Sequence, residues 1–144
     1  MHWLAVCAIV VSIGVAALAQ PIFTADDLDE TMKGVGRQFS LVNQMIAASD
    51  FETAKVRVTR ARERLSPSIS FWRNNQRDDA VRMLKQVTGK LDDLDAALSE
   101  ITINSATVLA AASEVGSACN ACHNVYREKD PDSEAFRLRP GSVN

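Results

Sequence analysis

The residues of this chain with the clearest chemical potential lie together near the C-terminus, in the segment Cys119-Asn120-Ala121-Cys122-His123. Two cysteines three positions apart lie on one face of a helix, and the histidine follows directly. Three chemistries use such a group: a redox-active dithiol, a zinc site, and covalent attachment of haem through a C-x-x-C-H motif. The segment therefore predicts a site built on thiols and an imidazole.

The surroundings of the motif favour haem. A dithiol of the thioredoxin kind needs its first cysteine at a helix N-terminus beside a βαβ unit, whereas here a helical pattern precedes the motif. A structural zinc ion takes four ligands, and adjacent Cys122 and His123 do not easily face one tetrahedral ion. One covalent haem c uses both thiols and the imidazole. A cysteine pair, buried or joined in a disulfide, beside an unrelated histidine stays open as a purely structural alternative.

Residues 1–19 predict a signal peptide. The first twenty residues contain no Asp, Glu, Lys or Arg, and the pattern Ala-Leu-Ala ends at Ala19, as expected for a cleavage site. Cleavage removes Cys7 and His2, so that the motif keeps every cysteine and histidine of the mature chain. The apolar run is also close to bilayer length, so a retained anchor stays open. We expect a periplasmic protein without a membrane span after cleavage.

Four amphipathic segments predict the helices that position the motif. Apolar residues recur at three- and four-residue steps from Thr24 onward, and short connections imply antiparallel neighbours. Helix-capping sequences precede three of the segments, at residues 24–27, 49–52 and 102–105. We therefore expect an all-α, antiparallel four-helix bundle with covalently bound haem over residues 20–130, followed by a flexible tail at 131–144. The predicted core stripes are Leu28, Met32, Val35, Phe39, Val42 and Ile46; Phe51, Ala54, Val58, Ala61 and Leu65; Val81, Leu84, Val87, Leu91, Leu94, Leu98 and Ile101; and Ala106, Leu109, Ala112, Val115, Cys119, Cys122 and Tyr126.

The charge pattern argues against nucleic acid as a partner. The net charge is −2, and basic residues are mostly interspersed with acids, whereas phosphate contacts need clustered Lys and Arg. The Arg-rich outer face of the second segment is interpreted as a solvated surface. No nucleophile and base pair stands out, so we expect no enzymatic activity.

Two parts of the sequence resemble a known family. The motif continues to Tyr126 and Arg127 as C-x-x-C-H-x-x-Y-R, and the first segment contains Thr31-Met32-Lys33-Gly34. In both features the chain resembles the class II c-type cytochromes, the cytochrome c′ family, which are exported four-helix bundles with the haem motif near the end of the last helix. The resemblance covers residues 24–129.

The resemblance implies a role for each site residue. Cys119 and Cys122 would hold the haem, and His123 would be its proximal ligand. Met32 would be the second axial ligand, as in the low-spin branch of the family. Arg127, four residues after His123 and so expected on the same helix face, would pair with a haem propionate. The alternatives are a space-filling core methionine at 32 and an ordinary cation near a helix C-terminus at 127.

The sixth coordination position decides between two haem functions. With Met32 bound, the protein is expected to be a periplasmic monohaem electron carrier that serves a redox partner protein. Without it, an open five-coordinate iron binds nitric oxide or carbon monoxide. A haem-free helical interaction module is the third alternative. The resemblance also leaves open a homodimer formed through the first two helices.

Overall fold

The computed structural model describes residues 23–143, most of which are helical. Five helices follow in order: α1 (Ala25–Ala47), α2 (Phe51–Leu65), α3 (Ser68–Asn74), α4 (Asp78–Ala97) and α5 (Ser105–Tyr126). Two short strands, β1 (Arg127–Lys129) and β2 (Phe136–Leu138), pair antiparallel after α5. The predicted all-α class is confirmed for this part of the chain, whereas the predicted signal peptide, residues 1–19, lies outside the described residues.

Side-chain caps fix where the long helices begin. Thr24 and Asp27 form a capping box at α1: the Thr24 N–H donates to the Asp27 carboxylate at 2.8 Å, and the Asp27 N–H donates to Thr24 Oγ1 at 3.2 Å. Asp50 caps α2 and Asn104 caps α5 through their side-chain oxygens. Such a cap contributes about 1 kcal/mol, because it satisfies backbone donors that the first helical turn leaves free. Each cap lies within a stretch that the sequence predicted as the start of a helix.

Two helix pairs make most of the packing contacts. α1 packs along α2, α4 packs along α5, and α2 contacts α4 between the two pairs. α1 and α5 touch at few positions, so the helix that carries the motif is held mainly from the α4 side. The predicted stripes of α1, α2 and α4 supply the core, whose buried members include Leu28, Val35, Val42 and Ile46; Ala54, Val58, Ala61 and Leu65; and Val81, Leu84, Val87, Leu91, Leu94 and Leu98.

Two predicted stripes extended too far. Ile101 is fully exposed, because it lies beyond the end of α4 at Ala97, in the non-helical segment that leads to α5. On α5, Leu109 is 57% exposed and Ala106 is also exposed. The buried face of α5, which includes Val108, packs against α4, so side chains on the face toward α1 are left uncovered.

The segment between α2 and α4 is helical rather than a plain connection. α3 follows Pro67, which ends α2 because proline cannot continue the backbone hydrogen-bond ladder. It buries Phe71 and Trp72, whose ring centroids lie 5.0 Å apart. Trp72 in turn lies 4.5 Å from the ring of Tyr126 at the end of α5, so α3 closes one end of the core.

The structure has a β-hairpin where the sequence predicted the beginning of a flexible tail. Asp130 Oδ1 accepts the N–H groups of two following residues, which forms the turn between the strands. Arg137 donates to Glu128 and to Asp130 across the hairpin. Arg139 N–H then donates to the Tyr126 carbonyl at 2.8 Å, which attaches the hairpin to the last turn of α5.

None of the helices within residues 23–143 has the combination of length and apolar character that crossing a bilayer requires.

Candidate functional site

One helix brings the three motif residues together. Cys119, Cys122 and His123 occupy the last two turns of α5, and all three side chains are half-buried. Both thiols are free and pack against the core. Helical geometry puts the two cysteines on one face, while the histidine points about 100° further round the axis. The two thiols and the imidazole therefore project from adjacent faces of α5.

The surroundings of the motif hold these groups in their neutral forms. Burial raises the pKa of the Cys119 thiol. Burial, followed by the negative charges of Cys119 and Asp79, raises the pKa of Cys122 to about 11. Burial and the nearby Arg127 charge lower the pKa of His123. At neutral pH the motif thus presents two protonated thiols and a neutral imidazole, and the neutral form is the one that ligates a metal.

A polar network lies directly behind the motif. The Tyr126 hydroxyl donates to the Asp79 carboxylate and accepts from Arg77 Nη2 at 2.8 Å. Arg77 also donates to both carboxylate oxygens of Asp79, each at 3.2 Å. The Arg77 and Tyr126 hydrogen bonds to Asp79 hold the pKa of that carboxyl well below its usual range. Tyr126 is buried, so its hydroxyl needs these partners.

The same network ties three parts of the fold to the end of α5. Arg77 precedes α4, Tyr126 ends α5, and Arg77 Nη1 donates to the backbone carbonyl of Ser142 at 2.7 Å. The Arg77 guanidinium also lies 4.9 Å from the centre of the Tyr126 ring. The negative charge of Asp79 also raises the pKa of Cys122, so the network affects the motif as well as the last turn of α5.

A groove of about 420 Å³ separates α1 from α5 next to the motif. Phe39 and Leu109 are its large apolar side chains. The α5 wall has no long polar side chains, and it ends at Asn120, inside the motif. This volume is within the roughly 300–1,000 Å³ of small-molecule sites. The groove explains why Leu109 is exposed, because α1 does not close over it. The remaining lining residues are Asn43, Ala112, Ser113, Gly116 and Ser117.

The structure does not single out Met32. Its side chain is partly buried against the core on α1, and Met45 and Met83 are placed in the same way on α1 and α4. Phe39 and Asn43 form the α1 wall of the groove. A role of Met32 as an iron ligand stays a prediction.

Arg127 does not share a helix face with His123, which corrects the placement expected from the sequence. Its backbone is extended (φ −116°, ψ 141°), because α5 ends at Tyr126 and the chain enters β1. The Arg127 guanidinium lies 4.0 Å from the centre of the Phe136 ring on the opposite strand. The residue still lies close enough to lower the pKa of His123.

Within residues 23–143, no three His, Cys, Asp or Glu side chains are grouped closely enough to form a metal site by themselves. Comparison of the chain with protein-family models, with curated proteins and with solved structures found no match. Only the residues and their geometry therefore bear on function.

Sequence reasoning missed the contribution of Arg77 and Asp79. Both lie at the start of α4, where an acidic residue is commonly explained by the helix dipole. The available signal was Tyr126, which lies on the apolar stripe of α5 and carries a hydroxyl that needs a partner once it is buried.

Proposed function

We propose that the protein is an exported monohaem c-type cytochrome that transfers electrons, with the haem held in an antiparallel four-helix bundle. The observation that carries the proposal is the combination of a C-x-x-C-H motif with a groove that begins at Asn120 of the same helix. In this proposal the two cysteines attach the haem and the histidine ligates its iron, all from one end of α5. This arrangement does not depend on a four-ligand zinc site.

The residues around the motif fit a flat, apolar cofactor. The α5 wall of the groove is made of Ala112, Ser113, Gly116 and Ser117, whose short side chains allow a large ring to approach the helix closely. Phe39 and Leu109 supply apolar contact surface, and Leu109 is 57% exposed. Covering the exposed part of Leu109 would contribute about 1–2 kcal/mol, roughly half of the value for a whole leucine side chain, so a bound ring would complete the packing between α1 and α5.

Each motif residue has a definite task in this proposal. The Cys119 and Cys122 thiols would each add across one haem vinyl group: a C–S bond forms, and the thiol hydrogen passes to the neighbouring vinyl carbon. His123, neutral because burial lowers its pKa, would ligate the iron. Arg127 is near His123, and we propose it as a partner for a propionate in place of its contact with Phe136. When bound, the haem supplies reversible one-electron chemistry.

The thiol environment speaks against the redox-dithiol alternative. Catalytic cysteines of that class have lowered pKa values, because the thiolate is the nucleophile. Here burial is the first cause that raises the pKa of both thiols, and Cys122 reaches about 11. Nearly all Cys122 side chains are therefore protonated at pH 7, which makes the pair a poor exchange catalyst.

A five-coordinate, gas-binding haem protein is the second candidate function. One observation favours it: the α1 wall of the groove is formed by Phe39 and Asn43, neither of which ligates haem iron in the usual axial sets. Met32 lies two helical turns before Phe39. We propose Met32 as the sixth ligand of the electron carrier, and its absence would leave the distal face open.

A redox titration of the purified, exported protein tests the proposed function. Expressed together with a c-type cytochrome maturation system, the protein should show visible haem bands that change reversibly in a one-electron transition. The matched control is Cys119→Ala/Cys122→Ala, which should lack covalent haem. A wild-type protein without visible bands would favour the haem-free helical interaction module.

The ferrous spectrum then separates the two haem candidates. If Met32 ligates the iron, carbon monoxide should leave the bands of the wild-type protein nearly unchanged and should shift those of Met32→Ala. Met45→Ala is the matched control, because Met45 has the same partial burial on α1. A shift in the wild-type protein equal to that in Met32→Ala would mean that the distal site is open.

A further inference from the structure

Helix α2 carries an unusual excess of positive charge. Its 15 residues contain five basic and two acidic side chains, which gives +3 in a chain whose net charge is −2. Arg62 is paired, with its guanidinium 3.1 Å from Asp92 on α4. Three other arginines, Arg57, Arg60 and Arg64, form no ion pair with any residue between 23 and 143.

These three arginines form one line along the helix, which we name the basic ridge. Their spacing of three and four residues puts Arg57, Arg60 and Arg64 on one face. Seven residues of helix extend about 10 Å, so the ridge presents three cations over that length. Arg57 is anchored at one end, where Nη1 donates to Gln38 Oε1 of α1 at 3.4 Å.

Arg64 is positioned by a glycine at the other end of the ridge. A Cβ at Gly34 would lie 3.0 Å from Arg64 Nη1 and 3.4 Å from its Cδ. Glycine in the middle of a helix costs about 1 kcal/mol relative to alanine. At this position the missing side chain leaves room for the Arg64 side chain to lie against the backbone of α1.

A pocket of about 390 Å³ opens between the two helices at the centre of the ridge. Gln38, Arg60, Glu63 and Arg64 line it. Two guanidinium groups and one carboxylate leave a net positive charge there. Glu63 weakens the attraction for a single small anion, whereas a series of carboxylates along 10 Å reaches all three arginines.

We propose that the basic ridge is the docking surface for an acidic protein, whose carboxylates enter the pocket between Arg60 and Arg64. Arginine suits this task, because its planar guanidinium binds a carboxylate through two parallel hydrogen bonds. Long-range attraction between a positive ridge and an acidic surface also speeds association at low ionic strength.

The ridge lies beside the groove of the proposed haem site. Gln38 lines the ridge pocket, and the next residue, Phe39, lines the groove between α1 and α5. A docked protein would thus lie about one helix diameter, ~10 Å, from the groove. Only the nearness of the docked protein to haem rests on the proposed function. The docking proposal itself rests on the charge pattern.

Binding of a labelled octaglutamate peptide to the purified full chain tests the proposal. At about 20 mM salt we expect saturable binding that is lost near 0.5 M salt, because ions screen exposed charges. Arg60→Gln/Arg64→Gln should weaken the affinity about three- to tenfold, as for two exposed ion pairs. The control Arg73→Gln/Arg82→Gln removes the same charge from exposed arginines that form no ion pair within residues 23–143, and it should change the affinity less than twofold.

Three results would overturn the proposal. The first is equal weakening by the two double variants, which would make the effect one of net charge. The second is saturable binding of inorganic phosphate at the ridge without binding of octaglutamate, which would reassign the pocket to a small anion. The third is a wild-type dimer that Arg60→Gln/Arg64→Gln dissociates, which would make a second copy of this chain the occupant. Haem content is read separately, so its absence leaves this test unaffected.

Discussion

Replacement of Tyr126 by phenylalanine should destabilise the end of the helix that carries the motif. Tyr126→Phe keeps the ring, which packs 4.5 Å from Trp72, and removes only the hydroxyl. The hydroxyl donates to Asp79 and accepts from Arg77. The variant therefore isolates two hydrogen bonds to charged partners in a buried position.

The expected loss follows from these two bonds and from the exposure of the partners. A hydrogen bond to a charged group contributes about 1.5–3 kcal/mol. The side chains of Arg77 and Asp79 are 31% and 40% exposed, so water can replace part of what the hydroxyl provides. We expect the free energy of unfolding to fall by about 1.5 kcal/mol, near the lower end for one such bond. The urea midpoint should then fall by about 0.5–1.5 M.

The dependence of this loss on pH provides a second check. Burial and the hydrogen bond to Asp79 raise the pKa of Tyr126 to about 12, so between pH 10 and pH 12 the folded state keeps a proton that the unfolded state has released. Stability of the wild-type protein must fall over that range. Because Tyr126→Phe has no phenol to ionise, the difference between the two proteins should shrink there. Tyr126 is the sole tyrosine of the chain, so NMR of its Cζ carbon follows the titration without overlap.

A double-mutant cycle with Asp79→Asn measures the coupling directly. We expect Tyr126→Phe to cost markedly less in the Asp79→Asn background than in the wild type, with a coupling free energy of about 1 kcal/mol. Asp79 itself has a lowered pKa, so its contribution should be complete above about pH 4 and should disappear at lower pH. Additive single losses, or a Tyr126 pKa near the ordinary value of 10, would refute the network.

Two further predictions concern the groove and the core. Gly116→Leu should reduce haem incorporation, because the added side chain would occupy the groove, whereas the control Gly89→Leu should leave haem incorporation unchanged. Neither added Cβ meets an atom within 4 Å. Both variants should therefore fold and gain about 0.5–1 kcal/mol of helix propensity. Equal haem content in the two variants, measured by absorbance per protein, would show that the groove is not the site. Leu94→Ala should lower the free energy of unfolding by about 2–5 kcal/mol, because Leu94 is fully buried. Leu109→Ala, at an exposed position in the groove, should change the haem-free protein by less than about 0.5 kcal/mol. A similar loss for the two leucine variants in urea denaturation would contradict the packing described.

Local sequence rules predicted the elements of this fold well where one face of a helix meets the core. The caps at Thr24, Asp50 and Asn104 were read from residue types alone, since such side chains bond to free backbone donors. The stripe of α2 and, as far as Leu98, that of α4 were also predicted, because neighbouring helices cover these faces. The stripe of α5 was predicted only in part, since periodicity does not tell which neighbour covers Leu109 and which leaves it open.

The candidate site was predicted by residue type but not by its surroundings. The motif at Cys119, Cys122 and His123 is contiguous, so no folding information is needed to group it. The network of Arg77, Asp79 and Tyr126 joins residues almost fifty positions apart, and no local pattern encodes such a contact. Arg127 was assigned to α5 by extending helical spacing one residue beyond the end of the helix.

The mass of the intact protein, measured after export and denaturation, tests the central claim most directly. We expect the wild-type chain to carry the mass of one haem, and proteolysis to locate that mass on the peptide that contains Cys119, Cys122 and His123. Cys119→Ala/Cys122→Ala should have the mass of the bare chain. A wild-type protein with the mass of the bare chain, isolated from a host that matures other c-type cytochromes, would contradict covalent haem attachment and the function proposed from it.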